Sequence, residues 1–145
     1  MSYPELALHT FTTRPWSMEQ CIEEYARRGI GGISVWRETI DGLDLKKVKK
    51  QIDDAGLKPV AHVRGGFFTG KTQADRDAGR EKNRACVREA EALGLPQIVL
   101  VCGATPGQSP AENHNQIRDG IAEMAGWAAD AGIKLAIEPL HPIYA

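Results

Sequence analysis

Residues 134–142 read Lys134-Leu135-Ala136-Ile137-Glu138-Pro139-Leu140-His141-Pro142, a short apolar strand that closes on a carboxylate. Burying a carboxylate inside such a run is costly unless it is paired or bound to a cation. Parallel-strand enzymes place metal ligands and catalytic bases at the C-terminal ends of their strands. Glu138 is therefore the leading candidate for function in this chain.

Working back from that strand, the pattern alternates strands with helices. Ser109-Pro110-Ala111-Glu112 is a capping box, with proline at the first helical position. It opens a helix whose buried stripe is Ile117, Ile121, Met124 and Ala128. Gln97 to Gly103 reads as a strand, and Gln73 to Leu93 as a long polar helix that Gly94 terminates. Leu57 to Arg64, Gly32 to Trp36 and Leu6 to Thr10 read as three further strands. Between them, Asp44 caps a helix burying Leu45, Val48, Ile52 and Ala55, and Ser17 opens another with Gln20 as its capping partner. Two helix exits repeat, Asp54-Ala55-Gly56-Leu57-Lys58 and Asp130-Ala131-Gly132-Ile133-Lys134, each a glycine feeding an apolar strand.

This alternation predicts an α/β chain with a parallel sheet and right-handed crossovers. A doubly wound, flavodoxin-like domain and a (β/α)8 TIM barrel share the same local pattern. On the barrel reading, the 145 residues form one domain holding about the first four and a half βα units.

Composition narrows the function classes. With 18 basic and 19 acidic side chains, the net charge of −1 gives no general attraction to nucleic acid or an anionic membrane. The apolar runs, such as Ile98 to Cys102, are far too short to span a bilayer. Met1-Ser2-Tyr3-Pro4-Glu5 does not resemble a signal peptide. Cys21, Cys86 and Cys102 have no metal-type spacing and suit reduced thiols in a cytoplasmic protein.

One literal motif competes with Glu138. Gly65-Gly66-Phe67-Phe68-Thr69-Gly70-Lys71-Thr72 satisfies the phosphate-loop pattern G-x-x-x-x-G-K-[ST] between a strand and a helix. Against nucleotide binding, the segment that follows, Gln73 to Asp77, is solvent-like. Moreover, no strand ends in an aspartate suited to magnesium, and two complete units precede the motif.

His62 and Arg64 stand two apart on one strand, so strand parity predicts a shared face, as it does for Ser34 with Trp36 and for Ala136 with Glu138. Trp36, His62, Arg64 and Glu138 are expected at one end of the sheet, with His62 and Glu138 facing the barrel interior. The bland readings are a hydrogen-bonded core histidine, an arginine paired to a helix carboxylate, and a packing tryptophan whose indole N–H is satisfied at the rim.

The runs His9 to Ser17, Gly31 to Arg37, Arg64 to Phe67 and above all Ala136-Ile137-Glu138-Pro139-Leu140-His141-Pro142-Ile143-Tyr144-Ala145 resemble the sugar phosphate isomerase/epimerase family, the xylose-isomerase-like branch of metal-dependent TIM barrels. The resemblance runs end to end and implies the N-terminal half of such a barrel. It implies one divalent ion (Mn, Mg, Co or Zn) held by a glutamate on strand five, an aspartate on strand six, a histidine on strand seven and a glutamate on strand eight. Glu138 matches the first, and the other three would lie beyond Ala145.

The implied chemistry is proton transfer beside a sugar carbonyl through an enediolate-like intermediate, with Glu138 as both ligand and base. Trp36, His62, Arg64 and His141 would line the sugar pocket. The implied partner is a small sugar, together with self-association or a complementing C-terminal half, because an open half-barrel exposes strand edges. A metal-dependent DNA-repair endonuclease on the same barrel is disfavoured, since Cys102-Gly103-Ala104-Thr105-Pro106 offers no histidine at the fourth strand.

Overall fold

The computed structural model describes residues 2–140. Five strands, β1 (Tyr3–His9), β2 (Ile30–Trp36), β3 (Lys58–Gly66), β4 (Gln97–Val101) and β5 (Lys134–Ile137), form one parallel sheet in the order β1-β2-β3-β4-β5. Four helices connect them: α1 (Met18–Arg27), α2 (Leu45–Asp54), α3 (Gln73–Leu93) and α4 (Pro110–Asp130). Short 3-10 turns follow β1 (Thr10–Thr13) and β2 (Arg37–Ile40).

The local signals legible in the sequence act as their chemistry requires. Ser17 and Ser109 accept from the backbone of Gln20 and Glu112 while those side chains accept in return, so both capping boxes form. Thr72 and Asp75 form a third. Gly56 and Gly132 adopt φ values of 70° and 68°, and the next residue's N–H donates back to Ile52 or Ala128. The repeated exit is thus one left-handed cap used twice.

Burial separates the two faces of the sheet. Ile33, Val35, Ile98 and Leu100 are fully sealed against Tyr25, Ile52, Cys86, Leu93 and Met124 of the helices. Ser34, Trp36, Val99 and Ala136, on the other face, are partly open. A sheet in sequential order with helices over one face is the barrel arrangement, whereas a doubly wound domain covers both faces and permutes its strand order. The half-barrel expectation is therefore the one observed, and the flavodoxin-like alternative is not.

β3 departs from ideal pairing twice. Its register shifts against β2 between Ile33 and Ser34, and against β4 between Val63 and Gly65. Each irregularity reverses the alternation of side chains across the sheet.

Candidate functional site

At the C-terminal ends of the strands, on the helix-free face, a cleft of about 400 Å³ is lined by His9, Phe11, Thr12, Ser34, Trp36, Val63, Val99 and Glu138. β1 supplies His9 at its last position and β2 supplies Ser34 and Trp36. Glu138 follows β5 directly, its N–H donating to the Leu100 carbonyl at 3.0 Å. Thr10 ties two of these strand ends together, because the Trp36 N–H donates to its Oγ1 at 2.9 Å.

The side chains at the mouth divide into an aromatic wall and a polar edge. The Trp36 ring lies 4.5 Å from Phe11 and 5.4 Å from His9, centroid to centroid. Arg64 stacks over Trp36 at 5.0 Å and over Phe67 at 4.8 Å. The Phe11 N–H donates to His9 Nδ1 at 3.2 Å, so a neutral imidazole carries its proton on Nε2. Burial holds the His9 pKa below its ordinary value, and the nearby Glu138 carboxylate opposes that shift. Among the described residues, Glu138 is exposed and its carboxylate makes no hydrogen bond or ion pair.

Trp36, Arg64 and Glu138 thus come to one end of the sheet. His62 does not join them, and its expected place on the interior face is wrong. It is fully buried beneath α3, with Nε2 2.9 Å from Glu89 Oε2 and Nδ1 3.3 Å from the Val35 carbonyl. The shift between Val63 and Gly65 explains why parity failed: Arg64 reaches the open face while His62 and Gly65 turn toward the helices. His62 is the hydrogen-bonded core histidine of the bland reading. His141 lies outside the described residues. The indole Nε1 of Trp36, which the bland packing reading satisfies at the rim, is buried without a partner. Sequence reasoning missed His9 as a site residue, although its place at the end of the first strand follows the same rule that singled out Glu138.

Only one group of metal-type side chains lies close together among the described residues, and it is on the wrong face. Potential ligand atoms of His62, Cys86 and Glu89 lie within 4.8 Å of one another. Arg37 holds both Glu89 oxygens, at 2.6 and 2.7 Å, so a guanidinium already supplies the positive charge there. Burial would raise the Glu89 pKa, but the bonds from His62 and Arg37 prevail and bring it to about 2. Burial also pushes the Cys86 thiol up to about 12, which leaves it protonated.

Four amides of the phosphate-loop segment are already committed within the protein. The N–H groups of Gly66, Phe67, Gly70 and Thr72 donate to Asn83, Val101, Gln116 and Asp75. Thr72 spends its hydroxyl on capping α3. A phosphate cradle needs those groups pointed at the ligand.

A family model described as "Xylose isomerase-like TIM barrel" matches residues 22–144. The chain belongs to this family. Solved structures agree. Protein SMc04130 from Sinorhizobium meliloti 1021 is 34% identical with a TM-score of 0.89, the match covering 97% of this chain and 52% of that one. D-psicose 3-epimerase from Clostridium cellulolyticum H10, solved with D-tagatose, is 12% identical with a TM-score of 0.83, covering 100% and 54%. The IOLI protein, solved with a binding zinc atom, is 18% identical with a TM-score of 0.79, covering 91% and 50%. This xylose isomerase-like chain therefore spans about half the length of the structures it matches. No curated protein sequence matches it. No helix among the described residues is long and apolar enough to cross a membrane.

Proposed function

We propose that this chain contributes the first five strands of a divalent-metal-dependent sugar isomerase or epimerase, in which Glu138 is a ligand to the ion and a proton-transfer base. The observation that supports this reading is the setting of Glu138. It is a carboxylate at the strand-end mouth of a xylose isomerase-like barrel, on the helix-free face, with no protein partner among the described residues. A carboxylate left uncommitted beside an aromatic-walled cleft is free to serve a cation and a substrate.

The donor set fits one ligand, not a whole site. Divalent ions require several anionic or imidazole donors in fixed geometry. The remaining ligands would be the aspartate, histidine and glutamate that the family resemblance places on later strands. When bound, the ion supplies Lewis-acid polarisation of a sugar carbonyl and its neighbouring hydroxyl. The chain's own residues bind and orient the substrate. Trp36 and Phe11 give an apolar wall for the C–H face of a sugar, and His9 Nε2–H offers a hydrogen bond to a hydroxyl. Glu138 removes or returns the proton at the carbon beside the carbonyl.

The outer edges of β1 and β5 are where a complementing half, or a second copy, would pair, and Leu6 and Ile137 are exposed there. The cysteines are free, two of them buried, which suits a reducing cytoplasm.

The test is turnover of ketoses by the complete barrel, stripped of metal and then resupplied with Mn²⁺. Turnover should depend on the ion. The 145 residues alone should bind Mn²⁺ weakly and turn over nothing. Turnover that ignores the chelator would overturn the metal dependence.

A further inference from the structure

We infer that Arg64 is the recognition point for an anionic substituent, a phosphate or a carboxylate, carried by the substrate; the inference rests on reading the cleft as a sugar site. The argument begins with how the guanidinium is held. Its central carbon lies over the Trp36 ring at 5.0 Å and over the Phe67 ring at 4.8 Å. Stacking of this kind occupies the π faces and leaves the N–H groups in the plane available. Among the described residues, Arg64 donates no hydrogen bond and meets no carboxylate. Arg37, one residue beyond Trp36, shows the contrast, since both Glu89 oxygens engage its guanidinium.

The strand end presenting Arg64 is fixed rather than loose. Asn83, buried in α3, accepts from the Gly66 N–H at 2.8 Å and donates to the Gly66 carbonyl at 2.9 Å. The Phe67 N–H donates to the Val101 carbonyl at 2.8 Å, and Phe67 itself adopts a φ of 53°, unusual for a bulky residue. Such a conformation persists only where its surroundings enforce it, and here it sets the Phe67 ring against Arg64.

A fork of uncommitted donors held against two aromatic rings matches the planar, bidentate geometry of a phosphate or carboxylate. A neutral ketose has only hydroxyl and carbonyl oxygens to offer it.

The test compares dissociation constants for the complete barrel and its Arg64→Gln and Arg64→Lys variants, measured calorimetrically. The probes are D-fructose, D-fructose 6-phosphate and D-gluconate. Wild type should bind one of the two anions about tenfold or more tighter than D-fructose. Arg64→Gln should bring that ratio to about one, and Arg64→Lys should retain part of it. Preference for the phosphate or the carboxylate identifies which group is read. Equal binding of all three probes by wild type, or a ratio that survives in Arg64→Gln, would overturn the inference. An anion preference without proton exchange on any ketose would sink the isomerase reading and leave this one standing. Turnover of neutral ketose without any anion preference would do the reverse.

Discussion

The Nε2 of His62 lies 2.9 Å from Glu89 Oε2, so the imidazole is held by a helix and turns its back on the cleft that Glu138 lines. Arg37 shares the same carboxylate, which ties the end of β2 to α3 directly behind the Trp36 wall. Removing the carboxylate leaves a half-buried guanidinium unpaired. Glu89→Gln should therefore lower stability by about 1–3 kcal/mol in urea melts. No change in the midpoint would show that the network contributes nothing.

The same network sets an acid limit. The Glu89 pKa is depressed to about 2 in the fold, against 4.5 for the free side chain. A depressed carboxylate stabilises fully above its unfolded value, and that contribution is lost as pH falls from about 4.5 through about 2. Wild type should lose stability over that window more steeply than Glu89→Gln. Parallel curves for the two proteins would refute the assignment.

Lys71 sits in a loop four of whose amides are already spent on Asn83, Val101, Gln116 and Asp75. Titration with magnesium ATP should show no binding, and Lys71→Ala should change nothing. Micromolar affinity that Lys71→Ala abolishes would restore the nucleotide reading.

Gly66 has a φ of 109°, and a Cβ there would collide with the Val101 carbonyl. Gly66→Ala should cost about 1–3 kcal/mol and displace the end of β3 that carries Arg64. Thermal melts check the first effect. Near-ultraviolet dichroism of the Trp36 stack checks the second, and an unchanged spectrum would separate that strand end from the cleft.

Local chemistry was legible in the sequence because it is read within a few residues. The Ser17 and Ser109 boxes, the Asp44 cap and the Gly56 and Gly132 exits need no tertiary knowledge, and together they place the helices. Strand ends were less exact: β1 begins at Tyr3 rather than Leu6, and β4 ends at Val101 rather than Gly103. The face of His62 was not legible, since strand parity holds only without bulges and β3 shifts register twice. Pro59 and Gly65, at the two shifts, are residue types that bulges favour, but they do not tell a local reading which face His62 then takes. The His62–Glu89 pairing spans 27 residues and depends on how α3 lies over the sheet.

The central claim concerns Glu138, and solvent-proton exchange tests it most directly. The complete barrel is incubated with a ketose substrate and Mn²⁺ in D₂O, and deuterium at the carbon beside the carbonyl is followed by NMR. Wild type should incorporate deuterium, and Glu138→Gln should slow incorporation by about 10²–10⁴-fold while its circular dichroism stays unchanged. Incorporation by Glu138→Gln at the wild-type rate, or none by wild type with any ketose, would contradict the account.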